Sequence, residues 1–124
     1  MSLNRLDIEK RLGGITSNLL REKGYISFVD VFISMEKLSK EDYENWRFEK
    51  VPYLERVIKV NLAKINFIMR TVQKNSRNGN LRTSKTVYKS WGKGPKKLLR
   101  FSKSGDPNIE EAYSIHFLKP KKNP

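Results

Sequence analysis

Residue types that could perform catalysis are scarce in this chain. His116 is the only histidine and there is no cysteine, which excludes a thiol nucleophile and a thiolate metal site. A single imidazole can act as a general base at about pH 7, but it cannot complete a zinc site of ordinary composition by itself. Phe117 and Leu118 follow His116 near the end of the sequence. This setting favours a half-buried packing residue over a catalytic one.

Carboxylates concentrate in the first half of the chain. Those between residues 30 and 55 are Asp30, Glu36, Glu41, Asp42, Glu44, Glu49 and Glu55. Two or three of them could bind Mg²⁺ for a phosphodiester reaction, because this ion prefers hard oxygen ligands. Glu41, Asp42 and Glu44, however, fall where the N-terminus of a helix favours negative charge. A Mg-dependent nuclease is therefore only a distant alternative, and we predict no enzyme, no metal site and no cofactor.

The basic residues give a stronger signal. The segment from Arg56 to Lys103, called the basic block below, contains 14 lysines and arginines and no Asp or Glu. Because the whole protein carries a formal charge of +13, the rest of the chain sums to about −1. A self-repelling block of this size costs stability unless a partner outside the fold balances it, and nucleic acid is the commonest such polyanion.

The sequence thus predicts a non-enzymatic nucleic-acid-binding protein, for DNA or RNA, that contacts phosphates through the basic block. The candidate phosphate contacts are Arg70, Lys74, Arg77, Arg82, Lys85, Lys89, Lys93, Lys96, Lys97, Arg100 and Lys103. Tyr88, Trp91 and Phe101 lie between them, and an aromatic ring beside a basic groove can stack on an unpaired base. Trp91 and Phe101 taken individually are better candidates for the core. No glycine-rich phosphate-binding motif followed by Lys and Ser or Thr is present.

A protein–protein interaction module is the alternative. In that case the near-neutral N-terminal half would bind an acidic or apolar partner through residues 25–50, with Phe28, Phe32 and Trp46 on the contact surface. The two hypotheses differ in what must be exposed: a continuous positive face for the first, an apolar patch for the second.

Several helices are predicted in the first two thirds of the chain. One spans residues 4–23 with Asn4 as N-cap and Gly24 as its stop, unless Gly13–Gly14 divides it. Phe28, Val31, Phe32 and Met35 predict a second helix from Phe28 to about Glu36, capped by Ser27, although the β-branched residues there would also suit a buried strand. Ser39 and Asp42 resemble a capping box that opens a third.

Val51–Pro52 predicts the start of another helix, which continues or begins again at Asn61 and stops at Asn78–Gly79. At 100° per residue, Leu62, Ile65, Ile68, Met69 and Val72 cluster on one face. Asn66, Arg70, Lys74 and Arg77 form the opposite stripe. One face is therefore expected to pack and the other to carry charge.

The C-terminal third is more ambiguous. Residues 84–91 suit either a short helix capped by Ser84 or a strand, and Leu98–Ser102 is the best strand candidate of the chain. Asp106 and Pro107 predict the cap and first position of a last helix that reaches His116 or Phe117.

These elements predict a predominantly helical α+β fold with several short N-terminal helices, a longer central helix and a small C-terminal β element. The order is compatible with a winged helix, in which the helix ending at Arg77 is the reader and Lys93–Lys97 the wing. We expect one globular domain at 1–118 and a basic tail at 119–124. No apolar run approaches the roughly 20 residues that span a bilayer, so a protein without a membrane anchor, in the cytoplasm, is expected.

Overall fold

A computed structural model describes residues 4–120 of the chain. Its helices are α1 (Arg5–Lys23), α2 (Phe28–Ser34), α3 (Lys40–Arg47), α4 (Leu62–Asn78) and α5 (Pro107–Ser114), with a 3₁₀ turn at Leu54–Val57. Its strands are β1 (Tyr25–Ile26), β2 (Arg82–Lys85) and β3 (Ile115–Leu118). The predominantly helical α+β class predicted from the sequence is confirmed. Of the predicted tail, residues 121–124 lie outside the described part.

Helix α1 is unbroken and has the predicted ends. The side chain of Asn4 accepts a hydrogen bond of 2.9 Å from the amide of Asp7, which satisfies one of the free N–H groups of the first turn. Gly24 ends the helix with φ at 82° and donates its N–H to Leu20. Gly13–Gly14 does not divide the helix: both residues are exposed, and a side chain at either position would meet nothing.

Helices α2 and α3 begin at their predicted caps. The hydroxyl of Ser27 accepts from the amide of Asp30, and that of Ser39 accepts from the amide of Asp42. Helix α2 ends at Ser34, two residues before the predicted Glu36. Glu36 has φ at 61°, a left-handed conformation that cannot continue a right-handed helix.

The prediction of a helix beginning at Val51–Pro52 is wrong. Only the 3₁₀ turn forms there, because the amides of Leu54 and Glu55 donate to the carbonyls of Arg100 and Phe101 in a distant segment. Helix α4 instead begins where the sequence allowed a second start. The side chain of Asn61 caps this helix by accepting a hydrogen bond of 2.8 Å from the amide of Lys64.

The sheet is antiparallel and has the order β1-β3-β2. The last helix was predicted to reach His116 or Phe117, but α5 ends at Ser114 and the next four residues form the central strand. Ser84 does not cap a helix, since it lies in β2 opposite His116. The β element therefore includes one strand from the N-terminal half, which the sequence did not predict.

Leu98–Ser102, predicted to be a strand, is an irregular segment. A single antiparallel bridge joins Leu98 to Lys89, and the remaining backbone groups find partners of other kinds. The carbonyl of Arg100 accepts from the indole N–H of Trp46 at 2.8 Å. The amides of Phe101 and Ser102 both donate to the carboxylate of Glu110. Side chains thus replace a neighbouring strand.

One buried cluster connects all five helices, the 3₁₀ turn and strands β1 and β3, from Ile8 in α1 to Phe117 in β3. At its centre the ring of Trp46 is fully buried and contacts the rings of Tyr88 and Phe101. The predicted packing face of α4 is confirmed except at Leu62, which is exposed in the first turn. The apolar residues of the N-terminal helices are therefore mostly used in the interior.

The carboxylate of Glu110 gives a test of how the irregular segment is held. In the variant Glu110→Gln, the backbone amides of Phe101 and Ser102 lose their charged acceptor. The side-chain NH₂ group of the glutamine would then face one of these two N–H donors. We expect the variant to lose about 2 kcal/mol of stability, as for other hydrogen bonds to charged groups. Urea unfolding at neutral pH measures the loss.

Glu111→Gln is the matched control. Glu111 is the next residue of α5, and its side chain is exposed and reaches only a long ion pair of 3.8 Å with Lys85. We expect a change within about 0.5 kcal/mol. Equal stabilities for the two variants would show that the Glu110 hydrogen bonds do not hold the segment.

Candidate nucleic-acid interface

Every side chain that the sequence proposes as a phosphate contact lies on the surface. The exposed set is Arg70, Lys74, Arg77, Arg82, Lys85, Lys89, Lys93, Lys96, Lys97, Arg100 and Lys103. Within residues 4–120, salt bridges to carboxylates involve two of these cations: Lys85 with Glu111 and Lys97 with Glu49, each at 3.8 Å. Exposed pairs of this length contribute at most about 1 kcal/mol, so the set keeps nearly all its charge for an external partner.

The first group of cations lies along α4. Ile68 and Val72 face the core, in the interface with α1, whereas Arg70, Lys74 and Arg77 are exposed on the other side. The helical repeat places cations at these positions on one stripe about 10 Å long, from the rise of 1.5 Å per residue. The predicted division of this helix into a packing face and a charged face is therefore present.

The end of this stripe meets the sheet. Arg77 lines a shallow pocket together with Thr83 of β2 and with Ile115 and Phe117 of β3. Side chains alternate along a strand, so Lys85 projects from the same face of β2 as Thr83, and Arg82 projects from the opposite face. The guanidinium of Arg82 donates a hydrogen bond of 3.1 Å to the carbonyl of Lys119. This bond fixes the side chain beside the end of β3.

The second group lies on a short hairpin formed by residues 88–99, called the basic hairpin below. The amide of Ser90 donates to Lys97 and that of Leu99 donates to Tyr88, so the two arms run antiparallel. Gly92 and Gly94 both have positive φ and form the tip, where Lys93 and Lys96 are exposed. The base of the tip is fixed to α3, because Trp91 donates its amide to the carbonyl of Arg47.

Arg100 and Lys103 form a third group beside the 3₁₀ turn. The guanidinium of Arg100 lies over the ring of Tyr53 and donates to the carbonyls of Ser102 and Lys103. The amide of Lys103 donates to Glu55. The guanidinium of Arg100 therefore makes two hydrogen bonds and a ring contact within the fold. Lys96 at the hairpin tip has one hydrogen bond, to the carbonyl of Gly92, so we expect Arg100 to contribute least to an interface.

The three aromatic residues that the sequence places among the candidate cations, Tyr88, Trp91 and Phe101, differ in what they expose. Tyr88 and Phe101 are buried and pack on Trp46, so neither is free to stack on a base. Trp91 is 40% exposed and contacts the rings of Phe48 and Tyr43 edge to face. It is the member of this trio that offers surface to a ligand.

His116 is half-buried in β3, as its sequence context suggested. Its Nε2 lies 2.9 Å from the hydroxyl of Tyr88, and its ring stacks on Tyr25 at 5.0 Å between centroids. Burial lowers the pKa of His116, and the negative charge of Asp30 opposes this only weakly. Burial also raises the pKa of Tyr88, so the pair is neutral at physiological pH.

The acidic residues are spread over separate contacts. Asp30 binds Lys23 and Ser27, and Glu55 accepts from Tyr113 and Lys103. Glu41 and Asp42 lie in the first turn of α3. Among residues 4–120, no three His, Cys, Asp or Glu side chains come together in a way that could hold a metal ion.

The surface proposed for a protein partner is not formed by the residues that suggested it. Phe28, Phe32 and Trp46 are at most 1% exposed, because they complete the core under the sheet and the basic hairpin. Phe48 is the exposed large apolar residue of this region. In the part of the chain that the structure describes, no helix has the length and hydropathy to cross a membrane.

Sequence reasoning missed a cleft that the fold builds between α2, α3 and the strand that holds His116. Its volume is about 530 Å³, and its lining includes Lys23, Asp30, Lys40, Arg47 and His116. These residues come from four separate elements and show no common spacing. The only sequence signal was Arg47 beside Trp46 in a helix with several aromatic residues, which is not specific.

Comparison with protein-family models, with curated proteins and with solved structures found no significant match. Function is therefore inferred from the residues and their placement.

The lowered pKa of His116 predicts a pH effect on stability. The unfolded chain takes up this proton more readily than the folded chain, because the imidazole has its ordinary pKa of 6.5 there. The stabilising contribution is therefore complete above that value and is lost as the pH falls through the lowered pKa. We expect the free energy of unfolding to decrease between about pH 7 and about pH 5, the range in which histidine titrates.

His116→Gln is the comparison that isolates this effect, since glutamine can still bond to the Tyr88 hydroxyl without titrating. Its unfolding free energy, measured by urea denaturation at both pH values, should fall less than that of the wild type. An identical fall in the two proteins would mean that the environment of His116 does not lower its pKa.

Proposed function

We propose that the protein is a non-enzymatic nucleic-acid-binding module that contacts phosphates through the basic block. The observation that carries the proposal is the exposure of all eleven candidate cations in a segment with no acid of its own. Lysines and arginines that served internal salt bridges would lie within contact distance of carboxylates, and these mostly do not. Their mutual repulsion is relieved when phosphates replace small counterions around them.

The arrangement of the cations favours a surface that follows a phosphate backbone. The stripe on α4 adjoins β2, and β2 leads along the chain into the basic hairpin. Within this proposal, the winged-helix interpretation assigns Arg70, Lys74 and Arg77 to the groove of a duplex and Lys93–Lys97 to the neighbouring backbone. The hairpin tip has two glycines with positive φ, which allow close approach of the main chain to a ligand. The expected cytoplasmic location belongs to the same proposal.

Nothing in this surface identifies a base-reading side chain, so we expect binding that depends on charge more than on sequence. Lysines at the hairpin tip are flexible point charges, which suit phosphates better than base edges. Among Tyr88, Trp91 and Phe101, Trp91 has the exposed area needed for stacking. A preference for single strands over duplex would point to this ring.

The test is a titration of fluorescent double-stranded DNA, single-stranded DNA and RNA of equal length at several salt concentrations. We expect log affinity to fall linearly with log salt, at a slope corresponding to roughly 5 or more phosphate contacts. Changing Lys93, Lys96 and Lys97 together to Glu should weaken binding at least about 100-fold at low salt and reduce the slope by about 0.9 for every phosphate that the variant no longer binds. This variant alters exposed side chains only.

A triple variant on α1, Lys10→Glu with Arg11→Glu and Arg21→Glu, is the matched control. These three residues are exposed and lie outside the basic block, and the variant makes the same change in net charge. It should retain most of the affinity. Equal losses of affinity in both variants would show that net charge alone determines binding. If the wild type does not bind at micromolar protein in about 50 mM salt, the proposal is refuted, because non-specific binders are detectable under these conditions.

A further inference from the structure

The cleft of about 530 Å³ between α2, α3 and β3, called the Arg47 cleft below, contains none of the candidate phosphate contacts of the basic block. Its cations are Lys23, Lys40 and Arg47, all from the near-neutral half of the chain. Its volume lies in the range of small-molecule sites, about 300–1,000 Å³. It is therefore a separate site, and its role is a separate question.

Arg47 is the unusual residue of the cleft. Its Nε and Nη1 atoms are buried, and neither has a hydrogen-bond partner. Three rings surround the guanidinium, with centroids 4.6 Å away for Trp91, 5.2 Å for Tyr88 and 5.9 Å for Tyr43. Ring faces attract a cation but do not replace all the hydrogen bonds that water gave. The guanidinium is thus held in place and has donors left over.

The other charges of the cleft do not satisfy this group. The carboxylate of Asp30 is already engaged, since Lys23 donates to one of its oxygens at 2.9 Å and Ser27 to the other at 2.8 Å. The hydrogen bond to Asp30 raises the pKa of Lys23, as expected of a formed ion pair. With that pair neutral, Lys40 and Arg47 leave the cleft with an excess of about two positive charges.

Aromatic rings occupy the remaining wall. Tyr25 and His116 lie parallel, within 6° of each other, and Tyr43 and Tyr88 stand beside them in the same cleft. Such walls accept a planar ring, which can stack on tyrosine or imidazole. The cleft therefore combines a cationic end with an aromatic wall.

We propose that the Arg47 cleft binds a nucleotide unit, with its phosphate monoester on Arg47 and Lys40 and its planar base beside Tyr25 and His116. The guanidinium is suited to the phosphate because it keeps its positive charge at any physiological pH and has N–H donors without a partner in the fold. Since the rings already restrict the side chain, little conformational freedom is lost on binding. The ligand can be a free nucleotide or the phosphorylated end of a strand, because both present the same chemistry.

The experiment is an NMR titration of the ¹⁵N-labelled full-length protein with adenosine 5′-monophosphate, inorganic phosphate and adenosine in turn. We expect the monophosphate to produce saturable shifts at residues of the cleft with a dissociation constant below about 1 mM, and the other two ligands to bind at least tenfold more weakly. No saturation by about 10 mM monophosphate would overturn the proposal. If inorganic phosphate binds as tightly as the monophosphate, the base has no role in binding. If adenosine binds as tightly as the monophosphate, the phosphate has no role. Either result also overturns the proposal.

The variant Arg47→Met removes the charge and keeps an apolar side chain among the rings. It should weaken binding of the monophosphate at least tenfold. Lys50→Met is its matched control, since Lys50 is exposed and lies outside the cleft. It should bind as the wild type does. If Arg47→Met does not fold, Lys40→Met replaces it: Lys40 is exposed at the cleft, and unchanged affinity in that variant would contradict the assignment of the phosphate.

Two further measurements separate this site from the basic block and identify the source of the ligand. The triple variant at Lys93, Lys96 and Lys97 should bind the monophosphate with unchanged affinity even if its affinity for nucleic acid is lost. If the variant loses affinity for both ligands, the monophosphate binds the basic block and the proposal is overturned. In that triple variant, a short oligonucleotide with a 5′-phosphate is then compared with one ending in a hydroxyl. Tighter binding of the first supports a strand end as the ligand, and equal weak binding supports a free nucleotide.

Discussion

The structure depends on how it satisfies the buried backbone of residues 99–102. This segment has the apolar side chains of a strand but lies outside the sheet, and an unpaired buried amide or carbonyl costs about as much as a lost hydrogen bond. Trp46 and Leu54 donate to the carbonyl of Arg100, and Glu55 donates to that of Phe101. Glu110 accepts from two amides. Helix α3, the 3₁₀ turn and α5 thus converge on the three residues 100–102.

This convergence explains the distribution of charge. The acids that could have neutralised the C-terminal cations are used to hold the backbone: Glu110 binds residues 101 and 102, and Glu55 binds the amide of Lys103 and the hydroxyl of Tyr113. Burial and the hydrogen bond to Glu55 raise the pKa of Tyr113, so it remains a donor. The carboxylates act as backbone acceptors, and most lysines beside them stay unpaired. The excess positive charge itself comes from the sequence, and the fold leaves it at the surface because Glu55 and Glu110 bind backbone and hydroxyl groups rather than the cations of the basic block.

The sequence predicted those features that depend on neighbours three or four residues away. The predicted caps at Asn4, Ser27, Ser39 and Asp106 are confirmed, because each side chain bonds to an amide two or three positions along the chain. Asn61, one of the two starts allowed for α4, caps that helix in the same way. Prediction from the sequence failed where partners are distant. The indole of Trp46 lies 54 positions along the chain from its acceptor. The amides of Leu54 and Glu55 bond to the carbonyls of residues 100 and 101, so the helix predicted to begin at Pro52 does not form. No local pattern contains that information.

The same distinction applies to the two candidate sites. A block of 14 cations without an acid is visible in a sequence because its members are neighbours. The Arg47 cleft is not, because its cations come from two separate helices, α1 and α3, and its acid cancels one of them. Physically the sites also differ: lysines at the hairpin tip are exposed, so salt screens them, whereas the guanidinium of Arg47 lies among three aromatic rings at one end of a cleft. Charge on an exposed surface suits a long polyanion of any sequence, and a single enclosed guanidinium suits one phosphate in a fixed position. Under the two proposals made above, the basic block would follow a strand along its length and the Arg47 cleft would hold one nucleotide unit.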